Sequence, residues 1–171
     1  YFGTVDTWLL YQLTKGKNYS TDYTNASRTL FFNLSSLSWD KALLNEFGLS
    51  KLNLPGCHPS SYPFGESDFD GLLKNAIPVS AMIGDSHAAA FGEGCYQKGT
   101  AKATLGTGCS ILMNIGNDLK YSNNGMVTTI CWSTEEEVQY ALEGVIVTCG
   151  ATIEWLKTEW GLFTDSKHTE V

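Results

Sequence analysis

The sequence predicts an α/β chain that passes from the end of one domain into the start of a second, divided near Gly94 to Gly99. Three observations carry that expectation. The first part mixes helix-period apolar spacing with short apolar runs cut by Gly and Pro. A Gly84-Asp85 step joins an apolar run to a small-residue helix, the place where α/β folds put ligands. From Thr100 onward the chain turns β-rich and then closes with one more helix.

Val5 to Leu13 brings Val5, Trp8, Leu9 and Leu13 near one helical face, with Asp6 in the first turn, where a carboxylate suits the helix dipole. Lys15-Gly16-Lys17-Asn18 ends that helix, with Gly16 as its cap. Thr21 to Leu34 is polar and then apolar at Leu30-Phe31-Phe32-Asn33-Leu34, which reads as a buried short strand or a tight turn. Ser38-Trp39-Asp40 precedes a helix over Lys41 to Phe47, stopped by Gly48. Pro55, Pro59 and Pro63, with Gly56 and Gly65, mark a surface loop. Ile77 to Ile83 reads as a short buried strand, Pro78 lying near its start where no ladder donor is needed. A helix over Ser86 to Glu93 follows.

Thr100 to Ile115, Gly125 to Trp132 and Glu137 to Val147 read as a three-stranded meander, with turns at Gly116-Asn117-Asp118 and Ser133 to Glu136. Ala151 to Trp160 then sets Ile153, Leu156 and Trp160 on one helical stripe. Trp8, Trp39, Trp132, Trp155 and Trp160 all fall on apolar stripes and read as core.

Composition excludes several classes. The 171 residues carry a net charge of −7, and Lys and Arg are scattered, so no basic stripe for nucleic acid is present. No apolar run approaches the ~20 residues that span a bilayer, which argues against a membrane partner. No leader pattern is visible, and a start at Tyr1 rather than Met reads as an internal fragment. Cys57, Cys95, Cys109, Cys131 and Cys149 are odd in number and form no C-x-x-C pair. They read as small hydrophobes in a reducing compartment, hence a cytoplasmic protein. His58, His87 and His168 have no ligand spacing, so a metal held by side chains alone is not expected.

Three segments can carry chemistry. In Gly84-Asp85-Ser86-His87-Ala88-Ala89-Ala90-Phe91-Gly92, Asp85 can take a proton from a hydroxyl that attacks phosphorus, or it can simply cap the helix that starts there. In Leu105-Gly106-Thr107-Gly108-Cys109, a Thr between glycines at a hairpin turn can offer N–H groups and a hydroxyl to phosphate, the glycines allowing positive φ; a plain Gly-rich hairpin is the alternative. No Walker A loop occurs. In the third, Glu143-Gly144 precedes Gly150 at a helix start, where Gly150 either lets backbone approach a nucleotide or is a packing glycine.

In order and spacing these segments resemble the FGGY carbohydrate kinases, and within them the glycerol-phosphorylating branch. Gly3-Thr4-Val5-Asp6-Thr7-Trp8-Leu9-Leu10 and Thr21-Asp22-Tyr23-Thr24-Asn25-Ala26-Ser27-Arg28-Thr29 are similar to stretches of that family's first domain. Gly84-Asp85 with Ala88-Ala89 resembles its catalytic-base region. Gly106-Thr107-Gly108-Cys109 and Glu143-Gly144 through Gly150-Ala151 resemble the opening of its second domain. The resemblance implies an actin/Hsp70/sugar-kinase-like (RNase H-like) two-domain fold. Residues 1–93 would be the carboxyl-terminal part of the first, substrate domain. Residues 94–171 would be the amino-terminal part of the second, nucleotide-side domain.

It further implies ATP-dependent phosphorylation of a hydroxyl of glycerol or a related polyol or sugar, with Asp85 as general base and Mg²⁺ travelling with the ATP near Asp85. Asp85, Ser86 and Ser110 would contact the substrate. Gly106, Thr107, Gly108, Gly150, Ile153 and Glu154 would face the nucleotide. A homo-oligomer is compatible with the family. The family's amino-terminal phosphate loop and later adenosine motif lie outside these residues, so the chain alone is expected to be inactive.

Two positions depart from the glycerol-phosphorylating pattern: Ser86 stands where a Gln is usual and Ser110 where an aromatic is usual. Two small hydroxyls there lead to the expectation of a four- or five-carbon acceptor in preference to glycerol. A pentulose kinase of the xylulose type is the alternative within the class. A non-catalytic nucleotide-binding module is the alternative outside it.

Overall fold

A computed structural model describes residues 1–169. Helix α1 (Val5–Leu13) ends in a turn where Lys15 and Gly16 are both left-handed (φ 53° and 79°), and the Gly16 N–H closes on the Tyr11 carbonyl at 2.7 Å. Strand β1 (Ser20–Asp22) runs straight into a short helix, α2 (Tyr23–Ala26). Asp22 makes that possible, because its carboxylate accepts the Thr24 and Asn25 main-chain N–H groups at 3.0 Å each. A 3₁₀ turn over Ser27–Thr29 ends at Leu30, which is left-handed (φ 65°) and exposed.

Of the apolar run Leu30 to Leu34, only β2 (Phe32–Asn33) is paired, antiparallel to β3 (Ser38–Trp39). Helix α3 (Lys41–Glu46) starts under an Asp40 cap and stops before Gly48 (φ 70°), as its sequence predicts. The proline loop supplies β4 (Gly56–His58), parallel to β1, and β5 (Glu66–Ser67). Strand β6 (Ile77–Pro78) pairs with β5, and helix α4 (Asp85–Gly92) follows.

The expected buried strand over Ile77 to Ile83 is therefore only two residues long, and Ile77 is 47% exposed. Beyond it Val79 still exchanges bonds with the chain before β5, its N–H to Gly65 and its carbonyl from Phe64, and after that only the Met82 N–H bonds, to the Ser60 carbonyl. An apolar run becomes a strand only where a neighbour offers a ladder, and loop carbonyls offer isolated bonds.

The second part is a four-stranded antiparallel sheet of β7 (Ala101–Leu105), β8 (Cys109–Gly116), β9 (Val127–Ser133) and β10 (Val138–Ile146), in the order β7-β8-β10-β9. It corrects the three-stranded meander twice. The Gly106-Thr107-Gly108 turn splits the first stretch into a hairpin, and β10 inserts between β8 and β9. The connection from Gly116 to Val127 is too long to be a tight hairpin, so it can leave a strand position open for β10. Helix α5 (Gly150–Thr158) and a 3₁₀ turn over Ser166–Thr169 complete the described residues.

The sheet and the first part share one interior. Ala90 and Cys95 pack with Leu112, Cys131, Trp132 and Ala141, and a second cluster joins Tyr23, Leu34 and Leu37 to Ile115, Ile130 and Tyr140. Of the five tryptophans only Trp132 is fully buried; Trp8, Trp155 and Trp160 are 60%, 47% and 63% exposed. The stripe on α5 is thus not core in this chain: Ile153 and Leu156 are half-buried and Trp160 is exposed. All five cysteines are free thiols, and burial pushes those of Cys57 and Cys131 up to about 12, which leaves them inert. Among the described residues no helix is long and apolar enough to cross a membrane.

Candidate active site

A cavity of about 590 Å³ opens where α1, the α2 turn and the start of α4 meet, and Asp6, Asn25, Arg28, Asp85, Ser86 and Glu143 are among its lining residues. Its position follows from a buried polar chain. Asp22 is fully buried, and besides the two N–H groups it accepts Thr24 Oγ1 at 2.7 Å, Asn25 Nδ2 at 2.8 Å and Ser60 Oγ at 2.7 Å. Thr24 Oγ1 in turn accepts the Gly84 N–H at 2.8 Å. The carboxylate at the end of β1 thereby pins the residue immediately before Asp85. Glycine suits that place, since a Cβ there would lie 3.1 Å from the His87 ring.

Asp85 is not the cap of α4. Gly84 holds that position, in extended backbone and with no side-chain bond, and Asp85 is the first helical residue. Its Oδ1 accepts the N–H of Ser86 at 2.6 Å, and the side chain stands exposed in the cavity wall. A carboxylate at the positive end of a helix, with one oxygen unengaged among the described residues, is available to bind a hydroxyl proton.

The opposite wall is ionic. Arg28 Nη1 donates to Glu143 Oε2 at 2.7 Å, and Ser110 Oγ donates to Glu143 Oε1 at 2.9 Å. Burial alone would raise the Glu143 pKa, but the Arg28 and Ser110 hydrogen bonds outweigh it and hold the carboxyl below its ordinary range. His87 is buried behind the wall; burial first, then the Arg28 charge, lowers its pKa, so the ring stays neutral near pH 7. Asp6 Oδ2 accepts from Thr21 Oγ1 at 2.6 Å, while its buried Oδ1 has no partner among the described residues.

The glycine turn is a separate constellation. Gly106 and Gly108 are not left-handed, so the expected positive-φ nest is not formed. The turn closes instead on α5. The Gly150 N–H reaches the Gly106 carbonyl at 2.9 Å, and the Cys149 and Ala151 N–H groups reach the Thr107 carbonyl at 2.8 and 3.1 Å. A Cβ on Gly150 would lie 2.7 Å from the Gly106 oxygen, and one on Gly108 would lie 2.8 Å from the Ile146 oxygen. Both glycines serve backbone-to-backbone packing. Thr107 remains exposed at the tip, Ile153 is half-buried, and Glu154 faces solvent, where it pairs with Lys157 at 3.5 Å.

Asp85 and Ser86 thus share one cavity, and Ser110 reaches it through Glu143. The residues expected to face a nucleotide gather at the turn and the start of α5. Sequence reasoning read Asp6 only as a carboxylate suited to its helix dipole and passed over Asn25, Arg28 and Lys102 as individual residues. Asn25 and Arg28 had a signal, an amide and a cation inside a polar run next to an apolar one; Asp6 had a fainter one, a single acid in a mostly apolar helix.

The profile of the N-terminal domain of the FGGY family of carbohydrate kinases matches residues 1–92, more than half of the chain. The chain belongs to the FGGY family of carbohydrate kinases. It is 48% identical over 169 residues to glycerol kinase 1 of Clostridium tetani, covering 99% of this chain and 34% of that protein. It is 47% identical over 169 residues to the glycerol kinase of Carboxydothermus hydrogenoformans, with the same coverage. The crystal structure of Plasmodium falciparum glycerol kinase with ADP superposes with a TM-score of 0.89 at 37% identity, over 97% of this chain and 33% of that one. A xylulose kinase from Brucella ovis superposes with a TM-score of 0.79 at 22% identity, over 91% of this chain and 32% of that one, a likeness of fold alone. The fold of this FGGY chain is the sugar-kinase, actin-like one, and the chain spans about a third of the length of the curated relatives it matches.

Proposed function

We propose that the full-length protein transfers the terminal phosphoryl group of ATP to a hydroxyl of glycerol or a related polyol or ketose. Asp85 is the general base, and residues 1–93 and 94–171 belong to the substrate and nucleotide domains. The observation that carries this reading is the placement of Asp85. It lies one residue inside α4, exposed in the cavity, with its cap role taken by Gly84. The similarity to proteins named glycerol kinase, one of them bound to ADP, supports the choice of acceptor and of nucleotide.

The chemistry asked of these residues is positional. The acceptor hydroxyl gives its proton to Asp85 as its oxygen attacks phosphorus, and Arg28 and Asn25 line the same cavity as polar partners for the remaining oxygens. Thr107, exposed at the tip of its turn, offers a hydroxyl to the phosphate side. Asp85, exposed in the cavity wall with one oxygen unengaged among the described residues, is the carboxylate that would stand beside a Mg²⁺ carried by phosphates and water. That ion would neutralise phosphate charge.

Asp85→Asn in the full-length protein is expected to cut kcat by ~10²–10⁴ with little change in ATP binding. The substitution keeps size and hydrogen-bonding reach but cannot accept the proton. Steady-state kinetics with glycerol, erythritol, xylulose and ribulose tests both the base and the acceptor. A kcat within about threefold of the unmodified protein would remove Asp85 as the base.

A further inference from the structure

Lys102 is the least expected charge in the molecule. It lies in β7 at 4% exposure, yet no carboxylate reaches it among the described residues. Its Nζ donates instead to two hydroxyls, Ser86 Oγ at 2.8 Å and Thr104 Oγ1 at 2.7 Å. A buried ammonium costs free energy unless what it holds repays that cost. Here it ties the second strand-bearing part of the chain to the residue that follows Asp85.

The direction of that bond has a consequence. An ammonium has three donors and no acceptor, so Ser86 Oγ must accept from it. A serine hydroxyl carries one O–H, and with a lone pair committed to Lys102 that O–H is left to donate. Among the described residues it has no acceptor, and Ser86 lines the cavity beside Asp85. Ser110 is the opposite case: its O–H is committed to the Glu143 carboxylate, so Ser110 can only accept.

We infer that Lys102 is a positioning residue that fixes the Ser86 hydroxyl as a donor into the cavity, next to the Asp85 acceptor. Together the two residues select an acceptor molecule whose reacting hydroxyl has an oxygen on the neighbouring carbon. The reacting hydroxyl donates to Asp85 and the neighbouring oxygen, hydroxyl or carbonyl, accepts from Ser86. The inference rests on the phosphoryl-transfer reading of the cavity given above. A site built to pair with a substrate oxygen rejects an analogue lacking it, because its own polar group is then left without a partner.

The test is a double-mutant cycle in the full-length protein with Lys102→Met and Ser86→Ala, measured on glycerol and on 1,3-propanediol, which lacks the middle oxygen. The unmodified protein is expected to favour glycerol in kcat/KM by at least about tenfold. Each single substitution lowers kcat/KM for glycerol about tenfold further than for propanediol, and the double variant is no worse than Ser86→Ala alone. A merely structural lysine would lower both substrates equally and add to the serine change, and that result overturns the inference. Lys102→Leu, which likewise has no donor, replaces the methionine variant if the latter does not fold, with the same expectation and the same overturning result. Absence of ATP-dependent turnover with any polyol or ketose would remove the phosphoryl-transfer reading and this inference together. Turnover without coupling removes only Lys102.

Discussion

Residues 1–93 bury Thr7, Thr21, Asp22, Thr24 and Ser67 almost completely, whereas the four-stranded sheet buries Leu112, Ile130, Cys131 and Ala141. The first region is built from helices of four to nine residues and strands of two or three. Such short elements satisfy few of their own main-chain groups, so side-chain oxygens supply the rest, and Asp22 supplies the most. The sheet needs no such help for its backbone, which its ladders pair, so the polar side chains it buries, Lys102, Asn114 and Thr129 among them, are left to bond to other segments. The lesson is that the Asp85 carboxylate is positioned by the polar region, through Asp22, Thr24 and Gly84.

The sharpest way to break that contrast is to damage each region once. Asp22→Ala strands Thr24, Asn25 and Ser60 in the interior, and a loss of about 3–5 kcal/mol is expected. It also frees Gly84, so kcat should fall in the fraction that remains folded. Leu112→Ala in the sheet is expected to cost about 3 kcal/mol by leaving a cavity, with kcat of the folded protein held within a few-fold. Denaturant unfolding and kinetics on the same full-length samples compare the two. Equal kcat in both variants would show that the Asp22 chain does not position Asp85.

A smaller effect is expected at the junction of the glycine turn with α5. Gly150→Ala places a methyl 2.7 Å from the Gly106 oxygen, and neither backbone can yield without opening the three hydrogen bonds between them. About 2 kcal/mol of stability should be lost, with a raised KM for ATP. An unchanged melting temperature would mean the junction is looser than its geometry.

The smallest effect is acid-linked. Glu143 has a folded-state pKa below its unfolded one, so its contribution is present above the ordinary carboxylate range and is lost as pH falls through the folded value. His87, kept neutral by burial, also costs stability in acid, but from the ordinary histidine range downward, which is a higher window. Glu143→Gln should therefore flatten the stability curve in the lower window, and, because the Glu143 charge raises the His87 pKa, it should steepen the histidine window slightly. Less than about 1 kcal/mol is at stake, because Arg28 is half in water. A melting curve from pH 7 to pH 3 reads it, and an unaltered acid limb would show that the Arg28 pair is screened out.

The candidate site was partly legible. Gly84-Asp85 stood out because a small, acidic step between an apolar run and a helix is rare, and the structure places it in the cavity. Gly106-Thr107-Gly108 stood out for its glycines, but their use differs: they admit another backbone, not positive φ. The two serines were legible as unusual residues and illegible as hydrogen-bond partners. What Ser86 and Ser110 can do depends on Lys102 and Glu143, which are 16 and 33 residues away.

By itself the sequence determined the elements whose signals are local: the Asp40 cap and Gly48 stop of α3, the helix after Gly84, the strand-rich stretch from Thr100, and the membership of the family. These rest on dihedral preferences and caps that act within a few residues. Tertiary structure alone decided the rest. The place of β10 between β8 and β9, the failure of Ile77 to Ile83 to become a buried strand, and the exposure of three tryptophans each depend on which partner lies alongside. The same holds for the site. Residue types forecast that Asp85 can accept a proton, but the Asp22–Thr24–Gly84 chain sets where it stands, and Lys102 sets which way its neighbour's hydroxyl is turned. A hydrogen bond has a direction only once both of its ends are in space.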